Sequence, residues 1–117
     1  MFLQLKHTKL DVYKFSQELA LECYKITKSF PDSEKFAMIL QIRRAALSVH
    51  LNIAEGCSRR TKPDRTRFFE IARGSVIEID AAVGIAYKLS YVTLEQLRPL
   101  EVNIIKSFKL LSGMIAS

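Results

Sequence analysis

Apolar residues in this chain recur in steps of three and four over long stretches, and nowhere do they alternate one by one between glycine-bearing turns. That spacing lines one face of a helix, whereas a half-buried strand needs a period of two. From Asp11 to Phe30 the series is Val12, Phe15, Leu19, Cys23, Ile26 and Phe30, with Asp11 placed to cap it. Pro31 cannot continue that helix, and Asp32 or Ser33 can cap the next. The second series, Glu34 to Arg59, carries Ile39, Ile42, Ala46, Val49, Ile53 and Cys57 on one stripe, with Leu40, Leu47 and Leu51 on its flank. Two apolar faces imply two burial partners, the molecule's own core and a neighbouring subunit.

Thr61 and Asp64 have the spacing of a capping box, and Lys62 and Pro63 fall in the first turn, where proline is tolerated. The third helix then runs to about Leu89, with Phe68, Ile71, Ala72, Ser75, Val76, Ile79, Ala82, Val83 and Ala86 inward. Ile77 and Ile85 fall off that arc and suggest a second contact surface. Thr93 and Gln96 repeat the capping logic for a fourth helix, Leu94 to about Ile115, which turns Leu97, Ile104, Phe108, Leu111 and Ile115 inward. Pro99, at the sixth position, either bends this helix or delays its start. Short links between long helices force neighbours to run antiparallel, so the expected fold is an all-α, up-down-up-down four-helix bundle. A chain of 117 residues makes one such domain, spanning residues 1–117.

Composition narrows the function. With 49% hydrophobic and 26% charged residues, disorder is not expected. Cys23 and Cys57 lack a metal or disulfide-framework spacing and read as reduced thiols of a cytoplasmic protein. No run approaches the ~20 apolar residues that span a bilayer, so no membrane association is expected. Nucleophile-elbow, phosphate-loop and HExxH signatures are missing, and His7 and His50 have no ligand partner at helical spacing. Glu70, Glu78 and Asp80 lack the Glu-x-x-His partner of a di-iron bundle. The expectation is a non-enzyme without metal or cofactor.

Most of the net charge of +6 is concentrated in one place, where Arg59, Arg60, Lys62, Arg65 and Arg67 stand against the single Asp64. These five are the candidate nucleic-acid contacts, and Arg44 and Arg73, on the polar sides of the second and third helices, are candidate extensions. No base-reading helix stands out, so binding should follow the backbone or RNA shape. The competing reading is a solvated loop on a scaffold that engages a protein partner. Arg43 falls inside the apolar arc, where a guanidinium needs a carboxylate; Glu78 is the first candidate for a structural ion pair and Glu55 the second. Gly56 lowers helix propensity by ~1 kcal/mol relative to alanine, which close packing against another helix or a binding role would explain.

Together, "QIRRAALSVHLNIAEGCSRR" (41–60) and "FFEIARGSVIEID" (68–80) resemble a bacterial family of small four-helix bundles often encoded within intervening sequences of large-subunit ribosomal RNA genes. The likeness covers nearly the whole chain, and QIRRAA, NIAEG and IARGS in this order are its most specific elements. Ser90 stands where relatives usually have glycine, which puts that turn's geometry in question, and His50-Leu51 stand where they often carry a proline. The resemblance implies a ring-like homo-oligomer, a pentamer, without catalytic activity. Similar bundles accompany the reverse transcriptases of diversity-generating retroelements, which adds RNA or DNA and a reverse-transcriptase-like protein as expected partners.

Overall fold

The computed structural model describes residues 1–117. It contains α1 (Asp11–Thr27), α2 (Met38–Cys57), α3 (Lys62–Lys88) and α4 (Leu94–Ala116), with short 3-10 turns at Lys6–Lys9 and Asp32–Glu34 and no strand. Both α1 and α3 pack against α2 and α4, so the helices occupy the corners of a square. Cross-helix pairs give the directions. Ser16 meets His50 and Thr27 meets Arg43; Gln41 meets Glu78 and Ser48 meets Ser75. In each set the residue number rises on one helix as it falls on its neighbour. Tyr87 shares a groove with Leu97, and Ile77 shares one with Phe108, so α3 and α4 are antiparallel as well. The result is the up-down-up-down bundle, 43 × 30 × 25 Å.

The core seam is narrower than the arcs expected from sequence. On α3 the buried positions are Phe69, Ala72, Val76, Ile79, Val83 and Ala86, alternating three and four. On α1 Val12, Ser16, Leu19, Cys23 and Ile26 keep the same alternation, and Ala20 and Thr27 beside them are buried too. This is the spacing of helices packed at the shallow angle of a coiled coil. Ile71 and Phe108, both expected inside, are instead 45% and 39% exposed, and Phe69 and Leu100 fill the seam. Four polar side chains also sit in it. Ser16 Oγ donates to Tyr13 O (2.9 Å), Thr27 Oγ1 to Cys23 O (2.7 Å) and Asn103 Nδ2 to Pro99 O (3.0 Å), each satisfied by its own helix. Ser107 Oγ alone has no partner.

Two helix starts differ from expectation. Asp11 is the first helical residue and not the cap, a place held by Leu10 without a side-chain bond. The second helix begins at Met38, not near Glu34, because Asp32–Glu34 forms a separate 3-10 turn. Glu34 is held there by Tyr91, whose hydroxyl donates to Oε2 at 2.9 Å, while its Oε1 accepts from the Met38 N–H at 3.4 Å. The carboxylate bond also raises the Tyr91 pKa, with burial adding to it. Thr61 accepts from the Asp64 N–H, but the Asp64 carboxylate pairs with Arg67 and does not bond back, so that box is half formed, whereas Thr93 with Gln96 forms a complete capping box. That box fixes the start of α4 at Leu94, so Pro99 lies inside the helix and does not begin it.

The turn after α3 answers the question raised by Ser90. The Tyr91 N–H bonds back to Ala86 O and the Ser90 N–H to Tyr87 O, the paired bonds of a Schellman termination. This requires a left-handed residue between them, and Ser90 has φ 63°, the one non-glycine residue with positive φ. A serine there costs about 1 kcal/mol that glycine does not. Part of the gain is offset by the freer unfolded chain, so Ser90→Gly is expected to raise the melting temperature by a few degrees in a thermal denaturation. An unchanged or lower midpoint would show that the serine side chain compensates the strain.

Candidate nucleic-acid interface

The α2–α3 corner is shaped by a close approach of two helices. A Cβ placed on Gly56 would lie 2.7 Å from the Phe69 ring and 3.1 Å from Phe68 Cβ. Phe69 is buried and cannot swing away, so glycine lets the two helices close and keeps the Ser58–Thr61 link short. This supports the close-packing reading of Gly56.

That closure brings five cations together. The Arg59 and Arg67 guanidiniums both lie over the Phe68 ring, 4.8 and 4.4 Å from its centroid. Arg67 donates to Asp64 Oδ1 at 3.0 Å, and Arg59 lies 3.5 Å from Glu55 and 3.9 Å from Asp64. Arg65 turns inward, its Nη1 donating to Arg60 O at 2.9 Å and Arg59 O at 3.3 Å. It therefore ties down the link's carbonyls. Arg60 and Lys62 are exposed, with no acidic partner within 4.0 Å. The carboxylates do not silence the corner: the three ion pairs are 38–61% exposed, and such pairs are worth ~0–1 kcal/mol and are screened by salt. A phosphate can replace either carboxylate, and stacking on Phe68 holds both guanidinium planes in place for it. Phe68 itself was read from the sequence as a core residue; its neighbour Phe69 takes that role.

Two candidates lie apart from the corner. Arg44 is exposed about 22 Å up the axis of α2, counting ~1.5 Å per residue. Arg73 is drawn towards α4, where Nη1 donates to Ser112 Oγ at 3.2 Å.

The expected Arg43–Glu78 pair is absent. Arg43 Nε donates to Thr27 Oγ1 (2.9 Å), Nη2 donates to Tyr24 O (3.3 Å), and the guanidinium lies over the Tyr24 ring at 4.7 Å. Glu78 accepts from Gln41 instead, and Glu55 pairs with Arg59. Arg43 faces α1, not α3, and is only half-buried, so a hydroxyl, a carbonyl and an aromatic face suffice in place of a counter-charge. Arg43→Ala is expected to lose ~2 kcal/mol of stability from these contacts, and Arg43→Met about half of that, since its stem still covers Tyr24. Equal denaturant midpoints for the two variants would contradict this.

His50, on α2, packs against Tyr13 with ring centroids 4.4 Å apart and planes tilted by 47°, and its Nδ1 lies 2.7 Å from Ser16 Oγ. The direction of that hydrogen bond follows the imidazole tautomer, since the serine hydroxyl can either donate to Nδ1 or accept from it. Burial, and then the charge of His7, lower the His50 pKa below 6.5. The unfolded chain therefore takes up this proton first as pH falls, and stability drops below about pH 6.5, levelling off under the folded-state pKa. Chemical denaturation from pH 7.5 to 5 should show that fall, and His50→Asn should reduce it. No group of three or more His, Cys, Asp or Glu residues is arranged to hold a metal ion.

The model of the 23S rRNA-intervening sequence protein family matches residues 8–113, nearly the whole chain. The chain belongs to this family. Among solved structures, this member is similar to a protein of unknown function from the S23 ribosomal protein family of Bacteroides thetaiotaomicron VPI-5482. The two are 25% identical, with a TM-score of 0.80, and the match covers 91% of this chain and 99% of that one. No curated protein matches this family member. No helix in it is long and apolar enough to cross a membrane.

Proposed function

We propose that this family member is a non-catalytic nucleic-acid-binding bundle that assembles with copies of itself and contacts a phosphate backbone through its α2–α3 corner. The observation that carries this reading is the cation surplus there, with Arg60 and Lys62 unpaired and Arg59 and Arg67 held on Phe68 beside two exposed carboxylates. The family's link to 23S rRNA makes RNA the first polymer to try. Self-assembly, a pentameric ring in the form the family resemblance implies, is supported by apolar side chains the single molecule leaves open: Leu47 at 42%, Ile77 at 54% and Ile85 at 56%. A ring would gather the corners into a collar.

The test is a salt titration of RNA and duplex DNA binding. With ~4 phosphates contacted per subunit, log affinity for DNA should fall against log salt with a slope of about −3.6 per subunit, and less steeply for single strands. Absence of retention of either polymer by micromolar protein at low salt would reject the reading. A second reading, a scaffold for a protein such as a polymerase, is favoured by the apolar groove between α3 and α4, where Ile77, Ile105 and Phe108 are 54%, 45% and 39% exposed. Salt-insensitive binding to protein with no polymer retention would select it.

A further inference from the structure

Beside the basic corner, between the segment that precedes α1 and the ends of α2 and α4, lies a cavity of about 340 Å³. Lys6, His7, Lys62 and Arg65 line it together with Leu10, Cys57, Phe69 and Met114, and no Asp or Glu side chain takes part. Its volume is at the small end of ligand cavities, ~300–1,000 Å³, too little for a folded RNA element and suited to a single small molecule. The lining offers cations to a phosphate and apolar contacts to a base. Two of its cations, Lys62 and Arg65, also belong to the corner, so a strand lying on the corner passes the mouth of the cavity.

We propose that this cavity holds one phosphate-bearing nucleotide, the phosphate among Lys6, Lys62 and Arg65 and the base against Leu10, Cys57 and Met114. The reading rests on the corner binding nucleic acid and adds a discrete nucleotide site to it. Both a free nucleotide and the phosphorylated end of a strand present this chemistry. An internal phosphodiester next to stacked bases does not, because its base is not free to enter.

Cys57 provides a readout inside the cavity. It is half-buried, and burial raises its thiol pKa, whereas Cys23 is fully buried with its pKa pushed up to about 12, so alkylation at mildly alkaline pH reports on Cys57. The experiment follows iodoacetamide labelling of the full chain by mass spectrometry, with adenosine monophosphate, adenosine, inorganic phosphate, or a short RNA with or without a 5′-phosphate. At ~10 times its dissociation constant a ligand leaves roughly a tenth of the sites open, so labelling should slow about tenfold with the nucleotide and with the phosphorylated RNA. Adenosine, phosphate alone and the unphosphorylated RNA should protect far less. Protection by the mononucleotide only would identify the free nucleotide as the source, and protection by the phosphorylated RNA only would identify the strand end; each supports the site. Lys6→Ala with Lys62→Ala, both at exposed positions, should abolish the protection, read as the ratio of liganded to unliganded labelling of the variant itself. Undiminished labelling under every probe, in protein that still retains RNA on a filter, overturns the cavity proposal and leaves the corner standing. Undiminished labelling in protein that retains no RNA removes both.

Discussion

Replacing Arg60, Lys62 and Arg67 by glutamine is expected to weaken polyanion binding by two to three orders of magnitude near 0.1 M salt and to flatten its salt dependence. Each phosphate contact contributes ~0.9 to the log–log slope for duplex DNA, and therefore ~0.9 log units of affinity at 0.1 M, so three contacts give roughly 500-fold. The choice of residues follows from the corner's internal bonding. Arg65 is left alone because it ties the carbonyls of Arg59 and Arg60, and its loss would unfasten the link as well as remove charge. Arg59 is left alone because it contacts Glu55 on the last turn of α2 and the Phe68 ring. The three chosen are all exposed, and only Arg67 gives up contacts, an exposed ion pair with Asp64 and its place over the Phe68 ring, neither of which ties α2 to α3. The triple variant should thus melt within ~0.5 kcal/mol of the parent while losing affinity. Arg44→Gln, about 22 Å from the corner, is the matched control and should leave the slope intact. A slope that Arg44→Gln lowers as much as the triple variant does would move the interface off the corner.

The bundle was legible in the sequence because its signal is periodic and repeated on four segments, and because Thr61 and Thr93 cap where side-chain chemistry says they should. What was not legible came from contacts between segments. The start of α2 shifted because Glu34 answers to Tyr91, 57 residues away, and local helix propensity carries no trace of that bond. Ile71 and Phe69 exchanged roles because the seam follows the 3.5-residue spacing of antiparallel packing, while a 3.6-residue arc admits a wider set. Small polar residues were overlooked as core because Ser16, Thr27 and Asn103 bond their own helix backbone and so enter the seam at little cost. Arg43 was rightly placed off the water side, but its partner could not be chosen without knowing that it faces α1. At the corner the charges were plain from sequence, whereas the Arg59–Phe68–Arg67 stack required α2 and α3 to close over Gly56.

In the self-assembled form proposed above, Ile77→Asp with Ile85→Asp is expected to leave a 13.4 kDa monomer in light scattering at micromolar concentration. Both side chains are more than half exposed on α3, so their replacement leaves the core seam untouched and the helical circular dichroism unchanged. Covering each isoleucine in an interface contributes ~1 kcal/mol from its remaining exposed area. An aspartate caught in the same place costs several kcal/mol in desolvation unless it finds a partner, and in a ring every interface carries the change. Leu47→Asp tests the second face. At ~100° per residue, Leu40, Leu47 and Leu51 lie roughly opposite Ile42, Val49 and Ile53, and not merely beside them, so this stripe points away from the core and into solvent unless another molecule covers it. If it is the complementary surface, Leu47→Asp alone should also dissociate the assembly, whereas Lys14→Glu on the exposed side of α1 should not. Dissociation has a further consequence for the corner. A ring presents several basic corners to one polymer, and linked sites can exceed the affinity of one by ~10²–10⁴ when the polymer spans them. The monomeric variant, with every cation in place, should therefore lose long RNA far more than a short oligonucleotide that occupies one corner. A wild-type mass of 13.4 kDa would remove the assembly, and equal losses for long and short RNA would show that each corner acts alone.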